Sequence, residues 1–144
     1  MELSAPALAT LNQFRQLKPE DREAGGMLLG RMIEGTQDVI IDEVTCPHPS
    51  DSRNRFTFFR KKKPAQRIVE KAWEESRGTN NYLGEWHSHP EQVPSPSLHD
   101  LSNWKAIGKS AHFEQGFLIF IIVGQAVIKA WILCEDEVKT LVPV

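Results

Sequence analysis

The chain has 144 residues, of which 40% are hydrophobic and 25% are charged. A chain of this length can bury a hydrophobic core, and its composition excludes wholesale disorder. Its formal net charge of −2 argues against a dedicated nucleic-acid-binding protein. Two cysteines, Cys46 and Cys134, are too few for a disulfide scaffold, and we expect reduced, buried or half-buried thiols. The N-terminus lacks the basic and apolar segments of a signal peptide, so a cytoplasmic location is expected.

The first elements in chain order are a helix and a pair of strands. A helix is predicted over residues 4–17, because apolar residues recur there in rough helical register: Ala5, Leu8, Leu11 and Phe14. The apolar segments 26–33 and 38–45, which flank the polar turn 34–37, predict two strands. Residues 46–55 are rich in turn formers and predict a loop.

Two more helices are predicted on either side of a single strand. The first covers residues 65–76, where four residues form one apolar face: Ile68, Val69, Ala72 and Trp73. Residues 80–86 predict a strand, and the three prolines of segment 90–96 predict a loop. The second covers residues 98–109, with three residues facing inward: Leu101, Trp104 and Ile107.

The most apolar segment, residues 117–133, is shorter than the ~20 residues of a membrane-spanning helix, and Lys129 interrupts it. We therefore expect no membrane span, but a buried strand over 117–123 and a partner over 126–133. The element order is helix, hairpin, helix, strand, helix, hairpin. It predicts one α/β domain over residues 1–144, built around a mixed or mostly antiparallel sheet.

The chemically informative segment contains two histidines, His87 and His89, and a carboxylate, Asp100. On a strand, a spacing of two residues puts both rings on one face with Cα atoms ~6.5 Å apart, so both can bind one zinc ion. Asp100 lies in the first turn of the following helix and can be the third ligand. Three protein ligands leave a fourth position for water, which is typical of a catalytic zinc site.

Hydrolysis also requires a base and a donor that faces the developing negative charge. Glu23 is the candidate base, and Ser97 is the candidate donor. Glu85 would share a strand face with the two histidines and is a rival base. Ser97 and Asp100 also have the spacing of a helix capping box, so they can serve the helix, the chemistry or both.

Taken together, Glu23, His87-Ser88-His89-Pro90 and Ser97-x-x-Asp100 resemble the motif of the JAMM (MPN-plus) metalloproteases, with no departure. The EAGGMLLG segment that contains Glu23 is similar to the same family. The resemblance implies a JAMM/MPN-type (cytidine-deaminase-like) fold and a zinc isopeptidase that removes ubiquitin-like modifiers. It also implies the roles assigned above and favours Glu23 over Glu85 as the base.

Other segments of the sequence resemble those of one bacterial subgroup, the deconjugating JAMM peptidases of CBASS anti-phage operons. They comprise segments 82–90 and 56–60, the loop prolines Pro94 and Pro96, and Trp104. The similarity implies cleavage of the bond that joins the C-terminus of a cGAS-like nucleotidyltransferase to its target, which reverses a ubiquitin-type ligation. One alternative is a JAMM peptidase that processes a bacterial ubiquitin-like or sulfur-carrier protein. Another is a non-catalytic MPN interaction module.

The basic run Arg60–Lys63 has two interpretations, a solvated edge or a docking patch for an acidic protein surface. RadC-like proteins share a related histidine and serine pattern. The near-neutral charge of this chain argues against a nucleic-acid function of that kind.

Overall fold

A seven-stranded mixed sheet organises residues 1–142, which are the residues described by this computed structural model. Pro143 and Val144, the end of the predicted domain, lie outside the described residues. In chain order the elements are β1 (Glu2–Leu3), α1 (Ala5–Gln13), β2 (Gly25–Met32), β3 (Val39–Val44), β4 (Ser52–Arg53), β5 (Phe58–Phe59), α2 (Lys62–Glu75), β6 (Asn81–Ser88), α3 (Leu98–Ser110), β7 (Leu118–Val123), β8 (Ile128–Cys134) and β9 (Glu137–Leu141).

The strand order across the sheet is β1-β3-β2-β6-β7-β8-β9, and β4 and β5 form a separate two-stranded sheet. The pairs β1–β3 and β6–β7 are parallel, and the other neighbours are antiparallel. The predicted α/β fold with a mixed, mostly antiparallel sheet is therefore confirmed. The apolar segment read as two strands forms β7 and β8. No helix among the described residues is long and apolar enough to cross a membrane.

Helices cover both faces of this sheet. Ala7 and Leu11 of α1 are buried in one core cluster, against the central strands. On the opposite face, Trp104 of α3 is buried in a second cluster and stacks on Phe120 of β7, with ring centroids 4.6 Å apart. Burial of side chains of this size contributes about 1.5–3 kcal/mol each. The predicted inward face of α3 is confirmed, because Leu101 and Ile107 also pack against this cluster.

Several sequence predictions about the helices and loops are wrong in detail. Helix α1 ends at Gln13 and leaves Leu8 41% exposed, because Ala7 and Leu11 form its buried face. Helix α2 begins at Lys62 and lies on the surface, so that Trp73 is 51% exposed. The predicted loop 46–55 contains β4. Short edge strands β1 and β9 were not predicted.

The cysteine prediction is wrong in one respect. Cys46 and Cys134 are both free, as expected, but both are exposed rather than buried. Cys46 follows the end of β3, and Cys134 ends β8, so both thiols lie where strands reach the surface. Burial of a residue at a strand end depends on what covers that edge of the sheet. Residue type alone therefore does not predict whether such a residue is buried.

An irregularity at Gly84 changes which side chains of β6 face α3. Leu28 of β2 pairs with Gly84, but Leu29 pairs with Tyr82, so β6 carries an extra residue at this point. Such a bulge interrupts the strict alternation of side chains. Tyr82 and Glu85, three residues apart, consequently meet on the same face, where the Tyr82 hydroxyl donates a hydrogen bond to Glu85 Oε1 (3.1 Å).

We predict that Gly84→Ala destabilises the protein by about 3 kcal/mol or more, from backbone strain together with overpacking. Gly84 has φ +144°, and a Cβ atom there would lie 1.8 Å from the backbone oxygen of Ile119. Gly35→Ala is the control, because Gly35 has φ +76° but no atom within 4 Å of the added Cβ. It should cost about 1–2 kcal/mol, from backbone strain alone. Equal losses in urea unfolding would contradict the steric argument.

Candidate active site

The candidate site lies where β2 begins and β6 ends. In the antiparallel register of these strands, Gly25 is opposite His87. The pairing continues beyond the strand end: Ser88 N donates to the Ala24 oxygen at 2.8 Å. Glu23 is next to Ala24, and His89 is next to Ser88. The segment that carries the candidate base is thereby held beside the segment that carries both histidines, although about 64 residues separate them in sequence.

The three predicted metal ligands lie within hydrogen-bonding range of one another. His87 Nε2 and His89 Nε2 are 3.0 Å apart. Asp100 Oδ1 lies 3.3 Å from His87 Nε2, and Asp100 Oδ2 lies 3.3 Å from His89 Nε2. All three side chains are at least four-fifths buried, with relative exposures of 11–13%.

This triangle of donor atoms fits a tetrahedral zinc ion. Ligands bound at 2.0–2.1 Å with tetrahedral angles lie about 3.3–3.4 Å from one another. The observed separations of 3.0, 3.3 and 3.3 Å are close to that value. Two imidazole nitrogens and one carboxylate also form a donor set that zinc accepts in hydrolytic sites.

Glu23 lies at the edge of this triangle. A carboxylate oxygen of Glu23 is within 4.8 Å of both histidine ring nitrogens, so these three residues alone could also hold an ion. The shorter distances to Asp100 favour Asp100 as the third ligand. The wider spacing of Glu23 leaves room for a water molecule between its carboxylate and an ion. Geometry therefore makes Glu23 the better candidate for the base.

The electrostatic environment of Glu23 suits a proton acceptor. Glu23 is only 6% exposed, and burial raises the pKa of its carboxyl group from 4.5 to about 7, with a further contribution from the charge of Asp100. The charge of His89 acts in the opposite direction. A base whose pKa lies close to neutral pH can both accept and return a proton.

Two of the candidate ligands, Asp100 and His89, have pKa shifts of opposite sign. Burial acts to raise the pKa of Asp100, but hydrogen bonds from His87 and His89 outweigh it and hold the pKa well below its ordinary value. Burial acts to lower the pKa of His89, but its hydrogen bond with Asp100 and the negative charges nearby raise it. The carboxylate is therefore kept ionised, as a metal ligand must be.

Ser97 and Asp100 form the predicted capping box of α3. The Ser97 hydroxyl accepts a hydrogen bond from Asp100 N at 3.0 Å, and Asp100 Oδ2 accepts one from Ser97 N at 2.7 Å. A hydroxyl group has two acceptor lone pairs and one proton to donate. The cap uses an acceptor position, so the donor of Ser97 stays available to a substrate oxygen.

A groove of about 950 Å³ leads away from the candidate ligands between α2 and α3. Its floor follows β6 through Glu85 and Tyr82, and its walls include Val69 of α2 and Ile107 of α3. Its length along β6 suits several residues of an extended peptide at about 3.3 Å each. Ser97 lines the end that contains the histidines.

The rival base, Glu85, is occupied by other partners. Its Oε1 atom forms an ion pair with Arg60 and accepts a hydrogen bond from the Tyr82 hydroxyl. Burial raises the pKa of Glu85, and the positive charge of Arg60 opposes that rise. By contrast, the carboxylate of Glu23 accepts no side-chain or backbone hydrogen bond from residues 1–142. Glu23 is therefore the carboxylate that is free to act on a water molecule.

A buried polar relay that the sequence analysis missed fixes this arrangement. Ser88 Oγ accepts from Ala24 N at 2.9 Å and donates to Gln16 Oε1 at 2.9 Å. The amide nitrogen of Gln16 donates to the oxygens of Arg55 (2.8 Å) and Asp21 (3.3 Å). Gln16 and Ser88 are both fully buried. A glutamine in a polar segment gives no sequence signal of burial. The position of Ser88 between the two histidines is the one sequence signal that points to this relay.

Residues 9–134 match the family described as prokaryotic homologs of the JAB domain. The chain belongs to this family. It is similar to proteins named CD-NTase/cGAS isopeptidase from Pseudomonas aeruginosa (36% identical over 85% of this chain and 76% of that protein) and Escherichia coli (38% over 91% and 80%). A protein of the same name from Vibrio cholerae is 37% identical over 78% of this chain and 69% of its own length.

Two solved structures share the fold of this JAB-family chain. A solution structure of a protein from Desulfitobacterium hafniense has a TM-score of 0.66 at 23% identity and covers 97% of this chain and 88% of its own. One from Salinibacter ruber has a TM-score of 0.55 at 20% identity and covers 100% and 90%. The family predicted from the histidine and serine motif is confirmed.

We predict that Glu23→Gln stabilises the metal-free protein at pH 8. The unfolded carboxyl group loses its proton near pH 4.5, but the folded one keeps it up to about pH 7, so stability falls as the pH rises through this window. The shift limits the loss to about 3 kcal/mol. Glutamine does not titrate, so the stability of the variant relative to the wild type should increase between pH 4 and pH 8. Thermal unfolding in the presence of a chelator measures this difference. The matched change at the exposed Glu20 should give no such gain, and a pH-independent difference at Glu23 would contradict the prediction.

We predict that Ser88→Ala destabilises the protein by about 2–4 kcal/mol. It leaves the Ala24 amide and the Gln16 carbonyl without their partner in the interior, and each unpaired group costs about 1–3 kcal/mol. Ser110→Ala is the control, because that hydroxyl is exposed on α3 and should contribute less than about 0.5 kcal/mol. Urea unfolding of both variants measures the difference. Similar stabilities would mean that the relay does not hold the site.

Proposed function

We propose that this chain is a zinc-dependent isopeptidase. In this proposal it hydrolyses the bond between the C-terminus of a cGAS-like nucleotidyltransferase (CD-NTase) and the target to which that C-terminus is joined. The observation that carries the proposal is the triangle of His87, His89 and Asp100, with separations of 3.0–3.3 Å, beside the unpartnered carboxylate of Glu23. The names of the relatives support the choice of client. We place the reaction in the cytoplasm, where exposed thiols stay reduced.

In this mechanism His87, His89 and Asp100 would hold a zinc ion, which when bound would supply Lewis acidity and a hydroxide nucleophile at neutral pH. Glu23 takes the proton of the attacking water and later gives it to the departing amine. The Ser97 hydroxyl donates to the oxygen on which negative charge develops. The substrate tail lies extended in the groove, with its last carbonyl carbon at the histidine end. The proline-rich segment 90–96 borders that end and limits the motion of the tail.

We predict that the protein binds one zinc ion per chain, and that separate substitutions affect metal binding and turnover. Glu23→Gln should keep the metal but lower turnover by roughly 10²–10⁴-fold, because it removes the base and leaves the ligands. Asp100→Asn should lower the metal content itself, because an amide is a weaker ligand than a carboxylate. Elemental analysis and cleavage of a CD-NTase conjugate measure the two effects.

Glu85→Gln is the matched control for this prediction. It removes another largely buried carboxylate that lines the groove, one that is tied to Arg60 and Tyr82. Metal should stay bound, and turnover should change less than in Glu23→Gln. Abolished turnover in Glu85→Gln, together with near-normal turnover in Glu23→Gln, would reverse the assignment of the base. A protein that neither contains nor takes up a transition metal would exclude the zinc mechanism.

We predict that the products are an intact CD-NTase, which ends at its own terminal carboxylate, and a free amine on the target. Water is the nucleophile and no enzyme thiol takes part, so thiol-directed ubiquitin probes, which react with a catalytic thiol, should label neither Cys46 nor Cys134. Mass spectrometry of the products identifies the bond that is cut. Scattered cuts in the tail would indicate a general peptidase. Cleavage of a ubiquitin-like or sulfur-carrier conjugate in place of the CD-NTase conjugate would favour the alternative client.

A further inference from the structure

A strongly basic segment borders the candidate active site. Residues 44–69 contain seven basic residues and one acidic residue, a formal charge of +6. The rest of the chain contains ten basic and eighteen acidic residues, a formal charge of −8. The net charge of −2 therefore conceals a separation of charge between this segment and the remainder of the surface. We name one part of this segment the basic face; it comprises the exposed residues Phe56, Phe59, Lys61 and Lys63 and the half-buried residues Arg53 and Arg55.

The positive charges of the basic face are not neutralised within the protein. No carboxylate oxygen of residues 1–142 lies within 4.0 Å of a side-chain nitrogen of the two lysines or two arginines of this face. The guanidinium groups of Arg53 and Arg55 donate to backbone oxygens instead, those of Glu23 (2.8 Å), Lys18 and Pro19 (both 2.9 Å). These interactions fix the orientation of the side chains and leave their charge uncompensated.

The position of the lysines conflicts with the stability of α2. Lys61 is the N-cap residue and makes no side-chain capping hydrogen bond, and Lys63 lies in the first turn, which contains no acidic residue. Positive charge is unfavourable at a helix N-terminus, because the helix dipole is positive at that end. Charged residues that lower the local stability of a helix are expected at functional surfaces.

Exposed aromatic rings connect the basic face to the groove. Phe56 is 71% exposed and Phe59 is 54% exposed, and both line the groove that contains the candidate base and ligands. The ring of Phe59 lies 6.4 Å from the ring of His99, which adjoins Asp100 in sequence. Aromatic residues and arginine are enriched at protein interfaces. A protein whose tail entered the groove would therefore meet this face first.

We propose that the basic face docks an acidic surface on the folded CD-NTase whose C-terminal tail occupies the groove, an inference that rests on the proposed function. A folded protein can present a limited acidic patch that matches this face. A nucleic acid carries negative charge along its whole length and would also meet the remainder of the chain, which has a formal charge of −8. The separation of charge therefore favours a protein client.

The test compares two charge-reversed variants of the full chain. Lys61→Glu/Lys63→Glu reverses two charges of the basic face, and the new carboxylates suit the helix dipole, so the variant should fold. Lys129→Glu/Lys139→Glu makes the same change in net charge on β8 and β9. In the strand order of the sheet, β7 separates these two strands from β6, which carries His87. The probe is the unconjugated CD-NTase that the proposed function names as the client. Its binding is measured by titration calorimetry at 50 mM and 300 mM salt, and cleavage of its conjugate is measured separately.

We expect the first variant to bind the CD-NTase about 10-fold or more weakly at 50 mM salt, and the control to bind like the wild type. The difference should shrink at 300 mM salt, because exposed charges are then screened. Equal binding by both variants, or no binding by the wild type, would overturn the docking surface whether or not the conjugate is cleaved. Binding without cleavage would overturn the proposed function but not this surface. Binding of a 20-base-pair DNA that is lost in the same variant, with no binding of the CD-NTase, would assign the face to nucleic acid and overturn the proposal.

Discussion

The antiparallel pairing of β2 with β6 sets the distance between the candidate base and the candidate ligands. A slip of one residue would turn every β6 side chain to the opposite face and move His87 away from Asp100. Apolar pairing alone resists such a slip weakly at a strand end. Here the Ser88 hydroxyl bonds the Ala24 amide, and Gln16 bonds Ser88 from the other side. The site therefore depends on a few buried hydrogen bonds whose loss leaves unpaired groups in the interior.

Sequence patterns predicted the features that local periodicity encodes. The strands β2, β3, β7 and β8, the inward face of α3 through Trp104, and the loop between His89 and Ser97 all follow from spacing and turn chemistry. The buried face of α1 and the exposure of Trp73 depend on how each helix lies against the sheet, which involves residues distant in sequence. The same reason explains why the burial of Gln16 was missed.

Residue spacing alone did not decide which of two carboxylates is the candidate base. Glu23 and Glu85 are both near the histidines, and motif resemblance alone separated them. The structure adds a physical difference: the bulge at Gly84 brings Tyr82 next to Glu85, and Arg60 neutralises the charge that burial makes costly. Glu23 has no such partner, and burial raises the pKa of its carboxyl group to about 7. A buried carboxylate without a partner costs stability, which is common in groups that act on substrates.

The capping box of α3 and the candidate metal site are one arrangement rather than two competing interpretations. The Ser97 amide fixes Asp100 Oδ2 at 2.7 Å, and the same oxygen lies 3.3 Å from His89 Nε2. The cap therefore orients the carboxylate toward the histidines, which is the role that outer hydrogen bonds have around metal ligands. Because helix start and ligand geometry share this carboxylate, the cap that stabilises the start of α3 also holds Asp100 in place. The residue spacing from Ser97 to Asp100 therefore serves both the helix start and the orientation of the candidate ligand in this chain.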